Sequence, residues 1–548
     1  MAQDQSQEVQ DLSRGIIKRQ EKLRELRSNY EGQWEEAADL VLPRYATSFT
    51  GSQSASNQGA RRNQRQYDST AALALEKFAA AMESMLTPRQ SRWHRLKASD
   101  EVLNRDREVR LWFDEVTRIL FAQRYSPKAN FATNTFENYL SLGAFGTGSL
   151  FVDEAMDGQG IRYRAMDLGG LYLAANHQGV VDTAYRRFRQ TVRQLEQRWG
   201  AERLPQAARE ALEKDPDKEY EIVHCIRPRE EINPLREDYL GMPWASYYVM
   251  VEGAWLLSEG GYNTFPLPVS RYVTGPNEVY GRGPAMMTLP DNKVLQEQER
   301  TLLAQGNRAV DPVLLAHDDG VMDAFNLTPG AVNYGSMTKD GKRLVDVLPS
   351  GSVAVGLELM NQKRQVINEA FLVTLFQILV ETPQMTATEV MERAQEKGAL
   401  LSPTMGRQQS EFLGPLIERE LDILSRQGLL PPMPMILQEA QGEFNVEYDS
   451  PLSRAQRAEE ASGFMRSLEF GMAMANARQD PSVLDWFNVD TAMPEIMDIQ
   501  AVPHKWIASM EQVQAVREGR AQAQQQQQMV EAAPAAAGVI QAASNAGS

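Results

Sequence analysis

Residues 275–312 read GPNEVYGRGPAMMTLPDNKVLQEQERTLLAQGNRAVDP. The stretch opens on a turn punctuated by Gly281, Gly283 and Pro284 and continues as a helical run that stops at Asp311-Pro312. Pro290 suits the first turn of the main helix, where a missing N–H leaves nothing unbonded. Leu295 and Leu302 repeat at heptad spacing, as do Leu303 and Val310, and together they draw a narrow apolar seam. Glu297, Arg300 and Arg308 share another face. A thin seam on an otherwise polar helix predicts a strut packed against copies of itself. An ordinary surface helix of a large domain has the same spacing.

The chain around this stretch has 548 residues, enough for several domain-sized units, and 42% of them are hydrophobic. Its net charge of −16 is the wrong sign for a protein that grips nucleic acid by neutralising phosphates. It suits a soluble protein, or one that touches nucleic acid without holding it. A single cysteine, Cys225, excludes an intrachain disulfide and fits a reducing compartment. The first fifteen residues carry no apolar core of a signal peptide, and no apolar run approaches the ~20 residues of a membrane span. The expectation is a soluble protein made in the cytoplasm, with no membrane contact.

Upstream, Leu12, Ile16, Leu23, Leu26, Tyr30, Trp34, Ala38 and Val41 recur at helical spacing, and residues 46–66 read as a mobile polar loop. Asp68 or Ser69 caps a second helix bearing Leu75, Phe78, Met82 and Leu86. Residues 91–97 alternate like a strand, with helices expected over 106–124 and 129–143. Gly143 to Ser149 lacks the lysine and following helix of a phosphate-binding loop and reads as a turn into a strand. Short strands follow to Arg189, and Thr191 caps a helix through Trp199. Arg186, Arg187, Arg189, Arg193 and Arg198 make this junction the most basic local zone, suited to an acidic neighbour or to DNA.

Residues 215–276 are rich in proline, short strands and aromatic residues, including Tyr239, Trp244, Tyr247 and Trp255. They read as a compact β-rich module inserted between two helices, with an aromatic surface suited to a partner. His224 and Cys225, adjacent in a strand, face opposite ways and exclude a shared metal. Beyond the central helix, Val313 to Ala316 is expected as a buried strand and His317 to Gly320 as a turn. One long helix is expected over 353–379, another from Pro403 to Arg426, a last strand at 444–448 and an amphipathic helix over 454–475. No phosphate loop, zinc-protease motif or nucleophile elbow is present; an enzyme would have to be of an unmarked kind, and the expectation is a protein without catalysis or cofactor.

The order of these parts resembles the portal (head-to-tail connector) proteins of T7-like short-tailed bacteriophages. The resemblance runs from about residue 10 to 510 and rests on Tyr67-Asp68-Ser69, Leu86-Thr87-Pro88 to Leu96, Gly143 to Gly148, Tyr280 to Pro284, and Ala387-Thr388-Glu389-Val390. The family places an aromatic-hydrophobic pair where this chain has Trp93-His94, which bears on that strand's packing. The resemblance implies an α+β, mostly helical protomer, assembling into a ring of twelve around a channel for double-stranded DNA. It divides the chain into a wing (1–190 and 311–378), stem helices (191–214 and 276–310) and a clip (215–275). A tunnel loop (379–404), crown and barrel helices (405–520) and an Ala/Gln-rich tail (521–548) complete it.

The resemblance further implies that Glu297, Arg300 and Arg308 line or brace the stem, and that Glu381, Gln384, Thr386 and Glu389 belong to the constriction. The clip aromatics would dock the terminase large subunit and later a tail adaptor (tail tubular) protein. Arg186, Arg187 and Arg193 would contact a neighbouring subunit, and capsid and scaffold proteins would surround the ring. The virion's portal vertex would be its location. A packaging nuclease or ATPase, or an internal virion scaffold protein, is the rival expectation.

Overall fold

The computed structural model describes residues 6–45, 66–155, 158–233, 235–236, 238–316, 330–334, 336–348, 353–374, 403–440, 443–448, 451–478, 480–499 and 512–523, with a few single positions between them. It is a mostly helical α+β chain that divides into two units, residues 1–91 with 122–429 and residues 92–121 with 430–548. In chain order the first elements are α1 (Gln7–Val41), α2 (Thr70–Leu86), β1 (His94–Ala98), α3 (Arg107–Arg124), α4 (Phe131–Phe145), β2 (Thr147–Glu154) and β3 (Ile161–Ala165). Then come β4 (Leu171–Ala175), β5 (Val181–Thr191), α5 (Val192–Trp199), α6 (Gln206–Lys214), β6 (Glu219–Pro228), β7 (Trp244–Met250), β8 (Trp255–Tyr262) and β9 (Val269–Arg271). The central helix is α7 (Pro284–Met287) and α8 (Leu289–Val310), followed by β10 (Leu314–Ala316), β11 (Val345–Val347) and α9 (Val353–Ala370).

The first unit is built on an antiparallel sheet in the order β4-β5-β6-β7-β8. On one face α1 packs Ile16 and Leu23 against Tyr185, Val223, Cys225 and Tyr247. On the other, α5 and α6 pack Val192, Leu195, Leu204 and Ala208 against Ile222, Tyr248 and Met250. Strand alternation fixes which residue goes where, and it sends Cys225 and His224 to opposite faces. The β-rich stretch 215–275 does not close on itself: β6, β7 and β8 continue a sheet begun by β4 and β5, with Arg186 opposite His224 in register. The helix expected through 191–214 is two helices. Gly200, at φ 81°, ends α5, and Pro205 opens α6. Thr191 and Gln194 form a capping box at the start of α5.

The apolar stripe of α1 differs from its sequence reading at one turn. Leu26 is 67% exposed, whereas Gln20 and Arg27 are buried. Arg27 donates to the carbonyls of Leu168 and Gly169 at 2.8 Å each and of Leu171 at 2.6 Å. It also pairs with Glu31 at 2.6 Å. A guanidinium satisfies three converging carbonyls, which a leucine in that place would leave unbonded.

Three further expectations are corrected. The helix expected over 353–379 ends at Ala370, and Leu372 sits in the left-handed region at φ 59°, which a continuing α-helix does not admit. The strand at Leu314–Ala316 forms, paired antiparallel with Val345–Val347, but Val313 and Leu315 are exposed rather than buried. A two-stranded ribbon has no second layer to cover it. The helical run from Pro403 to Arg426 contains a π-helical turn, Gln408–Leu413, just before Pro415. Proline has no N–H to give the preceding turn, and local widening absorbs the mismatch.

In the second unit β1 pairs antiparallel with Phe444–Tyr448. Trp93 and His94 are both buried, and His94 stacks on Phe121 with ring centroids 4.9 Å apart. The histidine thus occupies an aromatic packing position. The helix Pro451–Arg478 turns its Phe464 edge-on to Phe487 at 5.9 Å. Among the described residues, no helix is long and apolar enough to cross a membrane.

Candidate functional site

The root of α8 is where the sequence's glycine-rich stretches meet. Helix α4 ends at Gly146 in the left-handed conformation, φ 73°, and hands the chain directly to β2. The Tyr280-Gly281-Arg282-Gly283 turn lies on this corner. A Cβ on Gly146 would stand 2.4 Å from the backbone of Arg282 and Gly283, and one on Gly283 would stand 2.6–2.7 Å from the backbone of Leu142, Gly143 and Gly146. Glycine is required on both sides because main chain packs on main chain. The Gly146 carbonyl accepts from the Tyr272 amide at 2.9 Å, and Thr147 Oγ1 accepts from the Gly281 amide at 2.8 Å. The segment expected as a turn rather than a phosphate cradle is a docking corner for α7 and α8.

Aromatic side chains lock the corner. Tyr280 meets Trp34 edge-on at 5.2 Å and Tyr30 at 5.6 Å, and its hydroxyl accepts from the Leu173 amide at 2.9 Å. Trp34 Nε1 donates to the Phe145 carbonyl at 3.2 Å. Arg282 pairs with Glu278 at 2.7 Å. The Arg282 hydrogen bond, with further bonds from the Gly275 amide and Tyr30, holds the Glu278 carboxyl down at about 2. Burial, with Glu278 beside it, pushes the Tyr30 hydroxyl up to about 12.

About two turns into α8, Gln296 holds the start of α2. Its Oε1 accepts from the amides of Tyr67 and Asp68 at 2.6 and 2.8 Å, and its Nε2 donates to the Asp68 carbonyl at 2.9 Å. Asp68 caps α2 through Thr70 at 2.7 Å and binds Arg364 of α9 at 2.8 Å, while Arg364 also reaches Glu299 at 3.2 Å. Burial pushes the Asp68 carboxyl up, but the Thr70 and Arg364 hydrogen bonds outweigh it and hold it below the usual carboxylate range. The motif Tyr67-Asp68-Ser69 is therefore the buckle between α2, α8 and α9. A second buried pair, Arg124 and Glu420, is fully enclosed, with Tyr163 donating to Glu420 at 2.6 Å. Nothing in local spacing signals pairs so far apart in sequence.

Beyond that buckle, α8 turns outward. Leu295 is buried, whereas Leu303 is 53% and Val310 88% exposed, so the distal half of the seam is uncovered in the protomer. Glu297 and Arg300 are exposed and 3.7 Å apart, and Arg308 is exposed as well. The tunnel-loop residues Glu381, Gln384, Thr386 and Glu389 lie outside the described residues.

The aromatic set divides. Tyr239 is exposed at 38%, with Arg229 5.8 Å from its ring. Tyr247 is buried in the sheet–α1 core, Trp244 is half-buried beside Phe265, and Trp255 Nε1 donates to the Arg203 carbonyl at 2.9 Å. The arginines divide too. Arg193 is exposed, Arg187 pairs with Glu221, and Arg186 is buried within the protomer. Most of these side chains are spent inside the protomer, a use that residue type alone does not reveal.

Residues 13–507 match the family model described as bacteriophage head to tail connecting protein. The chain is 31% identical over 528 residues to a protein of Bordetella phage BPP-1 named as a probable portal protein, covering 93% of this chain and 91% of that one. It is 30% identical over 532 residues to the portal protein of Salmonella phage epsilon15, covering 95% and 94% of the two chains. With the model spanning nearly all of its length, this chain belongs to the bacteriophage head to tail connecting protein family.

Proposed function

We propose that the protein is a structural portal protein: copies close side by side around a channel through which double-stranded DNA enters and leaves the capsid. The observation that carries this reading is near full-length similarity to two proteins named portal proteins. The exposed distal seam of α8, with Leu303 and Val310 uncovered, supports a strut that completes its packing against another copy. The net charge of −16 per chain supports passage rather than capture. Duplex DNA carries one charge per about 1.7 Å of axis, and a basic wall would hold it.

In this reading the ring has twelve members and sits at the portal vertex of the virion, among capsid and scaffold proteins. Glu297, Arg300 and Arg308 line or brace the stem, and Glu381, Gln384, Thr386 and Glu389 form the constriction. The exposed rim near Tyr239 meets the terminase large subunit and then the tail adaptor. The protomer performs no reaction; nucleotide hydrolysis belongs to the docked motor.

Mass measurement of the full chain under native conditions tests the reading. A closed multiple of the 61.5 kDa chain is expected. Monomers alone, at micromolar concentration with or without DNA, would overturn it. ATPase and nuclease assays on the same sample separate it from the packaging-enzyme alternative.

A further inference from the structure

Arg186 is an arginine without a counter-ion. It is 8% exposed, and its one hydrogen bond among the described residues runs from Nη1 to His224 Nδ1 at 3.4 Å. Arginine only donates, so Nδ1 accepts and the imidazole proton is on Nε2, which donates to Ser246 Oγ at 3.0 Å. The imidazole lies flat on the Tyr248 ring, 3.8 Å away at 8°. The Arg186 guanidinium is 4.6 Å from the Phe151 ring. Directly opposite Phe151 in the β2–β3 register stands Arg164, so both side chains leave the same face. Arg164 is exposed and has no bonded partner among the described residues. From α5, Arg198 donates to the Tyr248 hydroxyl at 2.7 Å with its guanidinium 4.4 Å from that ring.

Three guanidinium groups thus gather around Phe151 and Tyr248. Asp153, two residues along the same face of β2, lies 3.7 Å from Arg419 and also faces Arg198 and Tyr248, so one carboxylate stands against the three guanidinium groups and leaves a positive excess. Burial, with Arg164 and Arg198 nearby, pushes Arg186 down to about 10. Removing a lone charge from water is costly unless an opposite charge meets it. The positive excess is built in by the sheet register, and His224 is kept neutral beside it.

We propose that Arg164, Arg186 and Arg198 form a seat for one small oxyanion, a carboxylate or phosphate group, beside the Phe151 and Tyr248 rings. Guanidinium forks with unused N–H groups suit planar or tetrahedral oxyanions, and two of the three arginines stand at the exposed side as an entrance. Two sources of that chemistry exist: free inorganic phosphate, or an aspartate or glutamate of a second copy. The second source rests on the assembly reading above; the first does not.

The test uses the full chain, titrated with sodium phosphate against sodium chloride at matched ionic strength, with thermal midpoint and native mass as readouts. A saturable rise in midpoint specific to phosphate, weakened at least tenfold in Arg186→Met, is expected for the seat. Should R186M fail to fold, R164M and R198M, at exposed positions, carry the same comparison. If phosphate also dissociates assemblies, and R164M and R198M weaken assembly at least tenfold, the natural occupant is a carboxylate of a second copy. If assembly is unaffected while the midpoint rises, the occupant is free phosphate. No response beyond chloride, with R164M and R198M assembling as the parent does, overturns the seat. The phosphate titration reads the seat even in a chain that stays monomeric, so its failure is distinct from failure of the portal reading.

Discussion

The Gly146 carbonyl oxygen lies where a Cβ on Gly281 would approach to 2.2 Å. No rotamer relieves that contact, because both partners are main chain. Gly281→Ala should therefore destabilise the protein by about 1–3 kcal/mol or more, the range for forced overpacking. Chemical denaturation of the purified chain measures it. Gly306→Ala, in α8 with nothing within 4 Å of its Cβ position, should be neutral or stabilising and serves as the control. Equal midpoints for the two variants would contradict the corner's close packing.

Glu420 is ion-paired with Arg124, and both side chains are fully enclosed. Glu420→Gln should cost about 3–5 kcal/mol, because it strands a buried guanidinium. The double variant with Arg124→Met should recover much of that loss. A double-mutant cycle in urea decides it, and a loss near zero in the single variant would mean the pair is solvated.

His224 gives a pH dependence. Burial, then Arg186 and Arg198, holds its pKa well below the ordinary 6.5. Below 6.5 the unfolded chain takes up a proton there that the folded chain refuses. Stability should then fall as pH drops from about 6.5, and His224→Asn should flatten that slope. Unfolding midpoints of parent and variant between about pH 7 and pH 5 provide the comparison; parallel slopes would assign the acid sensitivity elsewhere.

Leu303 and Val310 are uncovered in the protomer, so replacing both with serine should leave the chain's thermal midpoint nearly unchanged. Assembly should weaken by at least about tenfold, roughly 1.4 kcal/mol, as native mass across a dilution series would record. Unchanged assembly would place the contact on another face of α8.

The regular elements were largely legible from spacing. The break of α8 at Asp311, the end of α4 at Gly146 and the strand at Phe444 follow from glycine, proline and alternation, all local signals. What spacing missed is long-range. Arg27 occupies a helix stripe where Leu26 was expected because three carbonyls from residues 168–171 converge on it. Tyr247 and Trp255 read as a partner surface because aromatic density does not say which face of the sheet α1 will cover and which α5 and α6 will cover. Arg186 read as a surface contact because the strand register that buries it beside His224 is set by β6, not by its own neighbours. The family resemblance reached further than spacing, since Tyr67-Asp68-Ser69 proves to be a contact point on α8 and Gly143 to Gly148 one on the turn that leads into it.

The glycine corner also limits how this chain can drift. Side chains that touch can change together, one shrinking as the other grows. Gly146 and Gly283 touch through atoms that every residue carries, so no exchange at one position makes room for an exchange at the other. Side chains along α8 can change in step with the partners they meet while the joint at its base stays fixed, so variation in this protein should fall along the strut rather than at its hinge pin.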